Sequence, residues 1–184
     1  MELTATVYYD ELVERCKQGD AASYRELYNK YSKAMYNTSL RIVNNTAEAE
    51  DILQEAFIDA FKHISGFEGR SSFGAWLKRI VVNKSINSIK RKKISVMDID
   101  NVHTDLSDDE PISEAEFEFK VDEVKKAITS LPAGYRTVLS LYLLEDYSHE
   151  EVATTLNISH STARTQYMRA KQKLLQQLKQ RVSL

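Results

Sequence analysis

Between Arg70 and Lys93 the chain places eight basic residues (Arg70, Lys78, Arg79, Lys84, Lys90, Arg91, Lys92, Lys93) and no acid. Cations at that density neutralise phosphates, and each phosphate neutralised releases counterions, so the stretch has the footprint of a polyanion site. Asn83 and Asn87 lie among them, and Phe67, Ser71 and Ser72 just before the first helical run. An aromatic ring and small polar groups can hold an unstacked base while cations track the backbone. A second acid-free block runs from Ala153 to the end of the chain, with Arg164, Arg169, Lys171, Lys173, Lys179 and Arg181. Within it, the last helical run begins with Ser161, Thr162, Arg164, Thr165, Gln166, Met168 and Arg169. Arg and Gln can read base edges, whereas Ser and Thr commonly fix phosphates.

Bond-making chemistry finds less support. His149-Glu150 together with His160 evokes a metal hydrolase, but that zinc pattern needs a second His four residues after the first, and residue 153 is Ala. No Cys pair, Gly-rich phosphate loop or nucleophile elbow is present, so neither an enzyme nor a metal or other cofactor is expected. The single cysteine, Cys16, excludes an internal disulfide and fits a reducing compartment, with cytoplasm as the expected location. The first residues carry no basic stretch leading into an apolar core, and no long apolar run follows, so neither export nor membrane insertion is expected. The formal net charge of -2 conceals the arrangement of the charges, which is what bears on a polyanionic partner.

Helices must position these groups. With 5 Gly and 2 Pro in 184 residues, the chain has too little punctuation for many short strands. The expected fold class is all-α, with two small helical domains joined by a flexible acidic linker. The boundaries fall at 8–93, 94–119 and 120–184, because residues 94 to 119 carry nine acids, no Lys or Arg, and no sustained apolar period. In the first domain Asp20 is a plausible N-cap for a helix whose apolar side is Tyr24, Leu27, Tyr28 and Tyr31. From Ala47 to Ile64, Leu53, Phe57, Ala60, Phe61 and Ile64 recur at helical spacing. After a Gly- and Ser-rich loop, a helix from Phe73 to Lys92 buries Phe73, Trp76, Leu77, Ile80, Val81 and Ile86. Packing accounts for Phe73 and largely for Trp76; loop residue Phe67 stays open between core and ligand contact.

Asp51, Glu55 and Asp59 stand four apart and form one acidic row. The row reads either as a solvated face suited to a helix dipole or as a docking face awaiting a basic partner. In the second domain, Leu131-Pro132-Ala133-Gly134 ends one helix, and Val138, Leu139, Leu141, Tyr142 and Leu143 supply the core from the next. Ser148 and Glu151 form a capping box, Asn157-Ile158-Ser159 turns the chain, and a last helix from His160 or Ser161 to about Lys179 carries Ala163, Tyr167, Ala170 and Leu174. A short capped helix, a turn and a basic amphipathic helix make a helix-turn-helix, whose second helix enters the major groove by its N-terminal residues.

The run Phe67-Glu68-Gly69-Arg70-Ser71-Ser72-Phe73-Gly74-Ala75-Trp76-Leu77-Lys78-Arg79-Ile80-Val81-Val82-Asn83 closely resembles the promoter-melting segment of extracytoplasmic-function (ECF) sigma factors of the sigma-70 superfamily, and Ala49-Glu50-Asp51-Ile52-Leu53-Gln54-Glu55-Ala56-Phe57 resembles their polymerase-binding helix. Leu131, Pro132, Arg136, Val138 and Leu141, with Tyr147-Ser148-His149-Glu150-Glu151-Val152-Ala153, resemble their minus-35 domain. Ala163-Arg164-Thr165-Gln166 departs from the common pattern, so promoter preference does not transfer.

The resemblance implies an alternative sigma factor. Asp51, Gln54 and Glu55 would dock on the clamp coiled coil of core RNA polymerase, and the minus-35 domain would meet its flap. Phe67, Ser71, Ser72, Trp76 and Asn83 would hold the melted minus-10 DNA, with Arg79 and Lys84 on its backbone. Ser161, Thr162, Arg164, Thr165, Gln166, Met168 and Arg169 would read the minus-35 element. Promoter DNA, core polymerase and a membrane-associated anti-sigma factor are the implied partners. The linker is either a nucleic-acid mimic within the polymerase or a tether. The rival reading is a polymerase-independent helix-turn-helix regulator that dimerises through its first half.

Overall fold

The computed structural model describes residues 10–92 and 121–182, and within them eight α-helices and no strand. The chain divides into two compact units, Met1–Ser88 and Ile89–Leu184. Residues 94–119, read as an acidic linker, lie outside the described residues.

The first unit begins with α1 (Glu11–Lys17), a short helix whose Val13 and Cys16 are buried and whose Asp10 caps it by accepting from the Leu12 N–H at 3.1 Å. Helix α2 (Ala21–Val43) is capped by Asp20, as its position before an amphipathic run predicts. The same carboxylate takes the Ser23 hydroxyl and the Arg15 guanidinium, and these bonds hold it below the usual carboxylate range. Helix α3 (Thr46–Lys62) follows after Asn44 turns left-handed and Asn45 caps the new helix through the Glu48 N–H. A 3-10 turn (Ile64–Gly66) and a loop lead into α4 (Phe73–Arg91).

Leu27, Phe57, Phe73, Leu77 and Val81 form the shared core of these helices. Each such side chain contributes about 1.5–3 kcal/mol when removed from water. Aromatic contacts join these helices: the edge of one ring meets the other where Tyr24 and Phe61 lie 4.9 Å apart between centroids, and Tyr31 tilts against Phe73 at 5.6 Å. Gly74 allows this approach, since a Cβ there would lie 2.8 Å from the Tyr31 ring. Cys16 sits 1% exposed under this core, and burial, with Asp20 adding negative potential, pushes its thiol up to about 11.

The second unit holds α5 (Val121–Ser130), α6 (Ala133–Leu144), α7 (His149–Leu156) and α8 (His160–Val182). Every residue of α6 from Gly134 to Leu141 is buried, which makes it the central helix, packed chiefly against α8. Leu143 departs from the expected core: although it shares a face with buried Leu139, it is 45% exposed in the last turn of α6, where the helix ends at Leu144. Buried Arg136 donates to the Leu131 carbonyl at 2.9 Å, and loss of hydration lowers its pKa. Ser148 and Glu151 close the expected capping box on α7. Asn157 then takes φ of 60°, a left-handed value that Asn tolerates better than most residues, and turns the chain toward α8.

Candidate nucleic-acid interface

Helix α4 offers Arg79, Asn83 and Asn87 as an exposed stripe at four-residue spacing. Arg79 makes no ion pair among the described residues. At the start of α4, Ser72 accepts the Ala75 N–H at 3.2 Å, so its hydroxyl serves as the helix cap. Ser71 is partly exposed beside it and donates to the Ser72 carbonyl at 3.4 Å. The loop before them is drawn together by Glu68 and Arg70, paired at 2.6 Å around Gly69, whose φ is 70°.

Two of the residues expected to face a ligand here are already engaged. Phe67 is 6% exposed, with its ring 5.9 Å from Phe73 and 5.2 Å from Trp76. It is a core ring and not an open stacking platform, because the short 3-10 turn folds it inward onto α4. Trp76 is partly buried on the same cluster and keeps some exposed surface. Lys84 is the larger correction. Its Nζ lies 2.7 Å from Asp59 and 3.3 Å from Glu55, so two carboxylates occupy the ammonium expected on a DNA phosphate. The hydrogen bond with Lys84 lowers the Asp59 pKa, and the same bond raises that of Lys84. The acidic row therefore has a basic partner within the chain.

On α3, Asp51, Gln54 and Glu55 are all exposed and share one face. Ile58, 51% exposed, belongs to that face and went unremarked in the sequence. Its position three residues after Glu55 and four after Gln54, off the Leu53–Phe57–Ala60 stripe, is the signal that marks it.

In the second unit, Ser159 opens α8 by accepting the Thr162 N–H at 3.0 Å, and its hydroxyl pairs with those of Ser161 and Thr162. Ser161, Arg164, Thr165 and Met168 are exposed, with Met168 at 62%; Thr162 and Arg169 are partly exposed. Gln166 contradicts its expected role on base edges. It is 2% exposed, because it shares the Ala163–Ala170–Leu174 stripe, and neither amide atom has a hydrogen-bond partner. Behind α8, His149 stacks on Tyr142 at 4.2 Å and meets the edge of Tyr167 at 5.3 Å. Burial, with His160 and Arg164 adding repulsion, lowers the His149 pKa. No helix among the described residues is long and apolar enough to cross a membrane.

Two separate helical units, each presenting a basic helix, define a bipartite protein of the DNA-binding class. Residues 27–94 match the family model for Sigma-70 region 2, and residues 122–174 that for Sigma-70, region 4. The chain is 31% identical over 172 residues to the RNA polymerase sigma-H factor of Pseudomonas aeruginosa, covering 88% of this chain and 89% of that protein. It is 30% identical over 177 residues to the ECF RNA polymerase sigma factor SigW of Bacillus subtilis, covering 91% and 95%. Among solved structures, the sigma factor RpoE in complex with the anti-sigma factor NepR from Bartonella quintana has the same fold, with a TM-score of 0.55 at 22% identity, covering 85% of this chain and 96% of that one. The chain belongs to the ECF sigma factors of the sigma-70 type, a family of transcription-initiation factors.

Proposed function

We propose that the chain is an alternative sigma factor that binds core RNA polymerase, recognises minus-10 and minus-35 promoter elements, and promotes melting for transcription initiation. The observation that carries this reading is the pairing, within one region-2 unit, of an exposed Asp51–Gln54–Glu55 face on α3 with the exposed Arg79–Asn83–Asn87 stripe on α4. The first face offers carboxylates and an amide to a basic partner such as the clamp coiled coil. The second offers a cation and amides to single-stranded DNA, with Ser71 and Trp76 beside it. Ser161, Thr162, Arg164, Thr165, Met168 and Arg169 are the groups of α8 available to duplex DNA, and the polymerase flap is the partner for the same unit. The protein works in the cytoplasm and catalyses no reaction of its own; base extrusion costs a few kcal/mol, offset by binding contacts. An anti-sigma factor fits as a further partner, since RpoE of similar fold forms such a complex.

Open-complex formation with core polymerase on a promoter library tests the reading. The wild-type chain is expected to melt a subset of promoters, and Asp51→Lys/Glu55→Lys to abolish both core binding and melting. Duplex binding that polymerase does not enhance would instead establish a free-standing helix-turn-helix regulator.

A further inference from the structure

Helix α4 is tied to its neighbours by polar contacts at successive turns. Lys84 reaches Asp59 at 2.7 Å and Glu55 at 3.3 Å on α3. The Ser85 hydroxyl gives its proton to the Val81 carbonyl and meets the Ser39 hydroxyl of α2 at 3.1 Å, and Ser88 donates to Glu48 of α3. Since residue 84 pairs with 59 and 55 while 88 pairs with 48, α3 and α4 run antiparallel. A slide of α4 by one turn would take Lys84 off Asp59, its nearer partner, and would break the Ser85–Ser39 and Ser88–Glu48 contacts together. The Lys84 side chain is only 24% exposed, whereas Glu55 is 60% exposed, so the ammonium is committed inward and the Glu55 carboxylate keeps room for a second partner.

We infer that Lys84 is a positioning residue: anchored on Asp59 and Glu55, it fixes the register of the Arg79, Asn83 and Asn87 stripe against the Asp51, Gln54 and Glu55 face, so that docking on one face places the other. This rests on the sigma-factor reading and adds to it a coupling between polymerase docking and DNA opening. Asp59 carries the anchor. A basic group of the polymerase that engages Glu55 takes the longer of the two contacts and leaves the 2.7 Å pair intact. Lys84 also screens the row of Asp51, Glu55 and Asp59, which would otherwise repel at four-residue spacing.

A phosphate contact and a positioning anchor predict opposite behaviour for Asp59→Asn. If Lys84 met DNA, removing the Asp59 charge would free the ammonium and strengthen promoter binding. If it positions α4, the same change loosens the register and weakens melting. The test measures core-polymerase affinity, the open-complex fraction at saturating polymerase, and the salt dependence of promoter binding for the full chain carrying Lys84→Met, Lys84→Arg, Asp59→Asn, and Lys84→Met with Asp59→Asn. The expected result is a drop of about tenfold in open complex for Lys84→Met and for Asp59→Asn, as misplacement of an otherwise intact site produces. Core affinity should change by less than about twofold, the double variant should be no worse than either single one, and Lys84→Arg should recover most of the melting. Wild-type melting in Lys84→Met or Asp59→Asn overturns the inference. So does a salt slope reduced by about one in Lys84→Met with melting maintained or raised in Asp59→Asn, which would make Lys84 a phosphate contact. A wild-type chain that forms no open complex at all overturns the sigma reading and the inference with it.

Discussion

The two units treat their interior polar groups differently. In the first, Ser85 meets Ser39, Ser88 finds Glu48, and Lys84 finds Asp59 and Glu55, so polar contacts key α4 to α2 and α3. In the second, the Gln166 amide, the Ser140 hydroxyl and His149 Nδ1 are buried with no hydrogen-bond partner. An unmet buried polar group costs about 1–3 kcal/mol. The first unit therefore holds register through polar contacts between helices, while α6 of the second packs mainly through apolar contacts and satisfies Arg136 and Thr137 on nearby carbonyls.

The sharpest way to break this comparison is to unfold one unit and watch the other. Phe73→Ala removes a ring that is 1% exposed and should cost the first unit about 3–5 kcal/mol. Hydrogen exchange should then report faster opening of α2–α4 with α6 and α8 unchanged; a matching loss in α6 would show that the units unfold together. A smaller effect of opposite sign is expected from Gln166→Leu. Removing the unpaired amide while keeping most of its volume should stabilise the second unit by about 1–3 kcal/mol in a denaturant titration, with the first unit unmoved.

Acid separates the units more gently. The His149 pKa is lowered from an ordinary 6.5 in the folded chain, so as pH falls the unfolded chain takes the proton first. Stability of the second unit is then lost from about pH 6.5 downward through the folded value. The Asp59 pKa is lowered from an ordinary 3.8, and its contribution to the first unit is lost only as pH falls below that. Between about pH 7.5 and 5, the thermal midpoint of the second unit should decline through His149, and His149→Gln should flatten that decline. Asp59 should leave the first unit unmoved over the same range.

Local signals were the ones legible in the sequence. The Asp20 cap, the Ser148–Glu151 box and the α3 stripe depend on residues within one or two turns, and each stands where its spacing implies. The exposure of Asp51, Gln54 and Glu55 followed from that stripe. Leu143 and Gln166 were misread, and Phe67 was left open, because the burial of each is decided by the packing of neighbouring helices. Gln166 shows the difficulty best: its spacing from Ala163 and Ala170 places it on the core stripe, yet its side chain is of a type that usually faces water. Lys84 needed a contact 29 residues away to reveal its partner. Helix α1, only seven residues long, gave too little periodicity to be recognised.

Cys16 carries a consequence of a different kind. With its thiol pushed up to about 11, only about one molecule in ten thousand holds the reactive thiolate at pH 7, and even that one is shielded beneath α2. Thiol-directed oxidants and electrophiles therefore find almost no thiolate to attack in the folded first unit. The same seclusion makes the sulfur a clock: a thiol-blocking reagent can label it only when α1 lifts away, so the labelling rate under native conditions measures how often that corner opens.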